Sequence, residues 1–471
     1  MYMIKRGFID LDKIKKVFNK KLLFIVIPVV TVVAVGGGCF AYVNSEVNKW
    51  ENKIYPNVIV EGVDLGGKTK EEALKTMEEN IEKEYSGKKI VVKAEENEFD
   101  FDIDVNNLEK NSQDIIDKAE QFGKDKNLGM FSKYKMIKSK EKVNYDLQFA
   151  LSDEEVNRIV TEVKEKVNTE AKNATIKLSS GNFVITDDVS GKVVNEDKLK
   201  EDIKEAFKSK DKNSYSVEAE VKNTTAKVTA SELKKINKNV STFTTRFGTS
   251  DAGRNENIRL AAQTLSGTVL MPGEEFSFNN IVGDTTADKG YQPATVIVGT
   301  KFEKDYGGGI CQVSTTLYNA VMQLNVRPTE RHPHNMSVSY VDKSTDAAIA
   351  YGYQDFKFKN TLQYPIYIEG FADKSNGILT FNIYSNEGAI TPGVSYKMRG
   401  EVTETVQPSV KRENDNTLEA GKEKVESNGT VGYKSVGYLD KIVNGQVASS
   451  EKVNTDYYRP SDTIIKVGTK Q

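Results

Sequence analysis

The chain of 471 residues is poor in the side chains that carry most chemistry, with two cysteines, two histidines and one tryptophan. So few cysteines, one of them (Cys39) inside an apolar segment, exclude a disulfide-built scaffold. An excess of either charge is also missing. Lysine and arginine number 66 against 68 acidic residues, and the formal net charge of −2 gives no reason to expect nucleic acid as the main partner. The glycine run at 307–309 lacks the lysine that would reach a phosphate, so it is not a phosphate loop. One thiol beside two histidines lacks the spacing of a zinc site. No cofactor and no metal are expected.

What is present converges on one stretch. Three glycines run into Cys311 in Gly307-Gly308-Gly309-Ile310-Cys311-Gln312, and Val313, Leu317, Ala320, Val321 and Leu324 then recur at helical spacing. Glycine lets the backbone turn tightly before the helix. Cys311 falls in or near the first helical turn, where unpaired N–H groups and the positive end of the dipole favour a thiolate. Glu330-Arg331-His332-Pro333-His334 follows and holds both histidines. A thiol with an imidazole base is a standard pair for acyl transfer. A small buried cysteine and two core histidines fit the same spacing.

The length exceeds the roughly 250–300 residues that one core organises, so several domains are expected. Residues 1–21 form a basic tail. Residues 22–43 carry no charge, and at about 1.5 Å per helical residue they suffice for a hydrocarbon core of about 30 Å. The basic flank puts the N-terminus in the cytoplasm and the bulk outside. A cleaved signal peptide is the rival reading, and Gly37-Gly38-Cys39 resembles the end of a lipobox; an uncleaved single-span anchor in the lipid bilayer is the expectation, with Trp50 at its interface.

Residues 52–145 and 146–225 read as a repeated α+β unit. Each opens on a capping box, Thr69 with Glu72 and Ser152 with Glu155, and Val105-Asn106 matches Val194-Asn195 ahead of a second helix. Residues 224–240 read as a polar linker. In 241–388 a helix begins at Arg254, Pro272-Gly273 marks a turn, and Val338 to Val341 reads as a strand. Residues 395–470 are strand-rich and punctuated by glycine. The fold class expected is a multidomain α+β protein, made of a transmembrane helix, two repeated α+β units, an α+β domain and an all-β module.

The layout of 52–225 resembles the peptidoglycan-binding domain found in many Gram-positive wall proteins. Residues 241–388 are identified as a VanW domain through Arg254-x-x-Asn257-Ile258, Pro272-Gly273-Glu274, Gly307-Gly308-Gly309-Ile310-Cys311-Gln312-Val313-Ser314, Glu330-Arg331-x-x-His334, Tyr340, Asp346-Ala347, Asp355-Phe356 and Asn360. Gly421, Gly429, Gly432, Gly445 and Gly468 make 395–470 resemble the G5 domain, which has been proposed to bind N-acetylglucosamine.

Some VanW-domain proteins are held to be L,D-transpeptidases. The resemblance therefore implies a membrane-anchored, extracytoplasmic transferase that forms 3-3 cross-links through a cysteine acyl-enzyme, with peptidoglycan stem peptides and glycan as partners. In it Cys311 is the nucleophile, His334 the base with His332 as the alternative, and Asp346 the acid that orients it, with Asp355 second. Backbone N–H groups from Gly309 to Gln312 would form the oxyanion hole, and Arg331 would hold a stem carboxylate. Two other readings keep the same residues: a non-catalytic wall-binding adaptor linked to the glycopeptide response, and a cysteine endopeptidase or amidase.

Overall fold

The computed structural model describes residues 20–209, 213–299 and 301–470. They form two compact units, one ending at Glu170 and resuming at Gly191–Thr224, the other made of Ala171–Ser190 and the described residues from Thr225 on.

The basic tail lies almost wholly outside the described residues. The charge-free run lies in the helix Lys20–Asn48, although its first side chains are not among those described. Among the described residues no helix is long and apolar enough to cross a membrane. The last turns of this helix bury Val43 and Val47 in the core of the first unit.

That unit has one core running through both expected repeats. The strand Lys89–Ala94 pairs antiparallel with Asn97–Asp102 and parallel with Ser214–Glu218, so one sheet takes strands from both halves. The helix Lys70–Tyr85 buries Ala73, Met77, Ile81 and Tyr85, a single face at the four-residue spacing of a helix. Its capping box is closed in both directions, Glu72 N to Thr69 Oγ1 at 3.2 Å and Thr69 N to Glu72 Oε2 at 2.9 Å. Ser152 caps Asp153–Val167 in one direction only, accepting from Glu155 N at 3.2 Å; the expected box stays open because Ser152 N donates to Asn107 O and the Glu155 carboxylate is held by Arg158 and Asn107. The two Val-Asn pairs differ. Asn195 caps Glu196–Phe207, whereas Asn106 sits in a 3-10 turn held by Asp104, and the next helix starts only at Ser112.

In the second unit the strands order as Lys238–Arg246, Ile378–Ser385, Ile366–Asp373 and Thr268–Leu270. The helices Ala252–Leu265 and Ile310–Met322 belong to the same core, and every residue of the second from Gln312 to Met322 is buried. The hairpin Thr175–Ser179 with Asn182–Thr186 belongs to this unit, because Phe183 packs edge-on to Tyr367 and Tyr384. The stretch expected as a polar linker holds a short helix, Ala230–Leu233, whose Ala230 and Leu233 are buried beside Ile176 and Tyr367.

Val338 to Val341 is not a strand. The backbone bends there, held by Lys343 Nζ on Val338 O at 2.9 Å instead of a ladder, and this lets the chain return from His334 to Asp346. The C-terminal part is all β. Val394–Val406, Gly432–Val443 and Gln446–Tyr458 form one sheet, and Val410–Glu419, Thr463–Lys470 and Glu423–Ser427 form another.

Candidate active site

The site is assembled on the first turn of Ile310–Met322. Gly308 and Gly309 are required by space. A Cβ on Gly308 would stand 2.7 Å from Thr295 O, and one on Gly309, whose φ is +108°, would stand 2.9 Å from Arg254 Cγ. Asn257 fixes the run by donating to Gly308 O at 3.1 Å and to Gln292 O at 2.8 Å. The helix is then pinned to the segment that carries the acid. Ser314 Oγ donates to Ala347 O at 2.6 Å, and Thr315 Oγ1 accepts from Ala347 N at 3.0 Å.

Three of the expected residues come together. His334 Nδ1 lies 2.6 Å from Asp346 Oδ2, which leaves Nε2 as the ring nitrogen free for the thiol. Cys311 is half-buried, lines the same cleft as His334 and donates to Ile349 O at 3.4 Å. Asp346 is fully buried and accepts from four donors: the His334 ring, His334 N at 2.8 Å, Arg331 Nη2 at 3.0 Å and Tyr458 Oη at 2.5 Å.

These contacts set the charges. Burial pushes Asp346 up, but the His334 hydrogen bond and the His334 and Arg331 charges outweigh it and hold the carboxyl below its usual range. Burial pushes His334 down, and Asp346 and Cys311 together raise it well above the ordinary imidazole value. Burial pushes the Cys311 thiol up, and the His334 hydrogen bond and charge bring it net below its usual value. The arrangement favours a thiolate beside an imidazolium.

The other expected residues stand elsewhere. His332 is partly exposed and turns to Glu330, with Nε2 3.2 Å from Oε1. Asp355 accepts from Ser277 Oγ at 2.6 Å and from the backbone of Asn279 and Phe356, so it orients a turn. Arg331 is not exposed to substrate. Its side chain is 6% exposed and spans Asp346 and Asp456, with Nη1 2.7 Å from Asp456 Oδ1. Gln312 N is spent on Gly309 O at 3.0 Å, and its buried side chain bonds Arg254, Thr245 and Arg246. The backbone N–H groups of Gly309 and Cys311 have no acceptor among the described residues.

A cleft of about 390 Å³ opens on the thiol, lined by Arg254, Cys311, His334, Tyr340 and Tyr351 among others. Burial raises the Tyr340 hydroxyl well above its ordinary value, so it stays a neutral donor. Two contributors escaped the sequence reading. Arg254 stood in a recognised motif but was read only as a helix start, and nothing in local spacing ties Tyr458 to Asp346.

Three family models match: VanW like protein over residues 253–384, "Putative peptidoglycan binding domain" over 101–216 and G5 domain over 398–470. The chain therefore carries a VanW-like domain, a peptidoglycan-binding domain and a G5 domain, each matched over part of its length. Among curated proteins, the uncharacterized protein YoaR of Bacillus subtilis is 39% identical over 31% of this chain and 47% of its own length. The vancomycin B-type resistance protein VanW of Enterococcus faecalis is 32% identical over 22% of this chain and 40% of its own length. The chain thus spans less than half the length of either relative. Among solved structures, the G5 domain of an IgA1 protease is 26% identical, with 17% of this chain and 96% of that chain covered and a TM-score of 0.14. The HP0197 G5 domain is 24% identical, with 16% and 97% covered and a TM-score of 0.12.

Proposed function

We propose that this protein is a cysteine-dependent L,D-transpeptidase that forms 3-3 cross-links in peptidoglycan. Cys311 and His334 lining one cleft, with buried Asp346 2.6 Å behind the imidazole, carry the reading. The Cys311 thiolate attacks the carbonyl of the third stem residue, and the charge passes to the carbonyl oxygen beside the Gly309 and Cys311 N–H groups. The C–N bond then breaks as imidazolium His334 gives its proton to the departing D-alanine nitrogen, leaving a thioester. The side-chain amine of a second stem attacks that thioester, His334 takes the amine proton, and the thiolate is released. Asp346 holds the imidazole in the orientation both transfers need.

The peptidoglycan-binding and G5 domains would hold the site in the wall, and the charge-free run of 22–43 would anchor it to the cell membrane with the N-terminus in the cytoplasm. The test is intact-mass analysis of the full chain after incubation with a disaccharide-tetrapeptide. An adduct of the disaccharide-tripeptide acyl group on Cys311, absent from Cys311→Ala, is expected. A folded protein that binds sacculi but never forms the adduct would favour the adaptor reading.

A further inference from the structure

The cleft holds a cation with no counter-ion. Arg254 sits in the first turn of Ala252–Leu265, and its half-buried guanidinium donates one hydrogen bond, Nη2 to Gln312 Oε1 at 2.7 Å. No carboxylate of the described residues lies within ion-pair distance of it; the nearby ionisable groups are Tyr340, Asp251 and Cys311 itself. Arginines that are withdrawn from water elsewhere are matched, as Arg331 is by Asp346 and Asp456 and Arg259 by Glu256, while Arg246 and Arg459, which have no ion pair among the described residues, are exposed. A guanidinium withdrawn from water without an anion is costly, and a ligand anion would complete it.

The guanidinium is also aimed. Gln312 Nε2 is fixed by Thr245 Oγ1 and Arg246 O, both at 2.9 Å, so Oε1 is a rigid acceptor. The missing side chain of Gly309 leaves room for the arginine stem to pass. A second donor stands in the same cleft. Tyr340 Oη is buried without a hydrogen bond of normal geometry, and the neighbouring Thr315 Oγ1 is already engaged with both N and O of Ala347. Cys311, Arg254 and Tyr340 therefore line one cleft, a nucleophile beside a guanidinium without an anion and a buried hydroxyl.

We propose that Arg254, with Tyr340 Oη, is the receptor for a free carboxylate on the residue that follows the scissile amide. This rests on the acyl-transfer reading and narrows it. The donor would be a stem ending one residue beyond the bond attacked, because only there does a carboxylate stand a few bonds from the carbonyl that Cys311 reaches. A longer stem or an amidated end offers no anion at that point. The planar fork of arginine suits a carboxylate held in two contacts.

The test has two arms on the full chain. In the first, acyl-enzyme formation is timed with the disaccharide-tetrapeptide as free acid and as C-terminal amide. The native protein is expected to prefer the acid by about tenfold or more, the size of one charge-assisted contact. Arg254→Gln should bring the acid down to the rate of the amide, and Arg254→Lys should restore part of the preference. Equal rates for acid and amide in the native protein, or an equal loss of both in Arg254→Gln, would overturn the proposal and make Arg254 a partner of the thiolate.

The second arm needs no turnover. N-acetyl-D-alanine should slow iodoacetamide alkylation of Cys311 saturably, its amide should not, and Arg254→Gln should abolish the protection. No protection by the acid, or the same protection by both, would overturn the carboxylate site. Protection without any acyl-enzyme would retain it and discard the transpeptidase reading alone.

Discussion

Tyr458 Oη stands 2.5 Å from Asp346 Oδ1, so the final strand of one β sheet completes the acid of a site built on other elements. The same hydroxyl accepts from Ser344 N at 2.7 Å, and Asp456, two residues earlier, pairs with Arg331. Asn454 donates to Tyr318 Oη at 3.0 Å and to Ser344 O at 2.9 Å. Gly400 and Gly437 have no room for a Cβ because the backbone at Lys343 and Ser344 lies against them. The G5 module therefore braces Asp346 and the segment that carries it.

Tyr458→Phe removes one donor from Asp346 without changing shape. A lost hydrogen bond to a buried charge costs about 1.5–3 kcal/mol. The expected outcome is a lower melting temperature together with slower acyl-enzyme formation, because the imidazole loses part of its restraint. Melting followed by circular dichroism and adduct formation followed by mass spectrometry check both. A drop in stability with an unchanged acylation rate would separate the module from the chemistry.

Asp346→Asn should be far more damaging than Asp355→Asn to acylation. Asp346 balances Arg331 and orients His334, and breaking a buried pair costs about 3–5 kcal/mol. Asp355 meets Ser277, Asn279, Phe356 and, at 3.9 Å, Lys357, none of them in the Cys311–His334–Asp346 set, so its loss should lower stability and leave the acylation rate of the folded fraction near native. Equal acylation defects would show that the orienting role is not confined to Asp346.

The charge pair sets two pH windows. Asp346 is depressed in the folded protein, so its contribution is present above the unfolded value of about 3.9 and is lost as pH falls toward its folded value. His334 is raised, so its contribution is present below about pH 6.5 and is lost as pH rises through its folded value. The stability difference between the native protein and His334→Gln should therefore shrink progressively above about pH 6.5. Denaturant melts across pH check the slope.

The same pair should keep Cys311 reactive below the ordinary thiol value of about 8.5. In a Cys39→Ser background, iodoacetamide should alkylate Cys311 well below that pH, and His334→Gln should move the profile upward. A native profile centred on the ordinary thiol value would contradict the thiolate–imidazolium pair.

Local signals were legible in the sequence wherever the partner lies within a turn or two. The capping box at Thr69 closes as expected because it needs only four residues of chain, whereas at Ser152 only the cap itself forms, the Glu155 carboxylate being drawn to Arg158 and to distant Asn107. The unit that the hairpin of 175–179 and 182–186 joins was not legible, because it depends on Tyr367 and Tyr384 far along the chain. Cys311, His334 and Asp346 could be picked out as candidates, while their alignment depends on Ser314 and Thr315 gripping Ala347. Arg331 was misread as substrate-facing because an arginine beside a histidine looks like a binding group until Asp456 is known to meet it. Arg254 is the converse, a motif residue whose lack of a partner appears only in three dimensions.

The most direct measurement is product analysis. The full chain and its Cys311→Ala variant are incubated with disaccharide-tetrapeptide, and the muropeptides are separated and sequenced by tandem mass spectrometry. The account requires a dimer that has lost one D-alanine and is joined between two third-position residues, made by the native chain and not by the variant. Shortened stems without a dimer would contradict transpeptidation in favour of hydrolysis, and identical products from both chains would remove Cys311 from the chemistry.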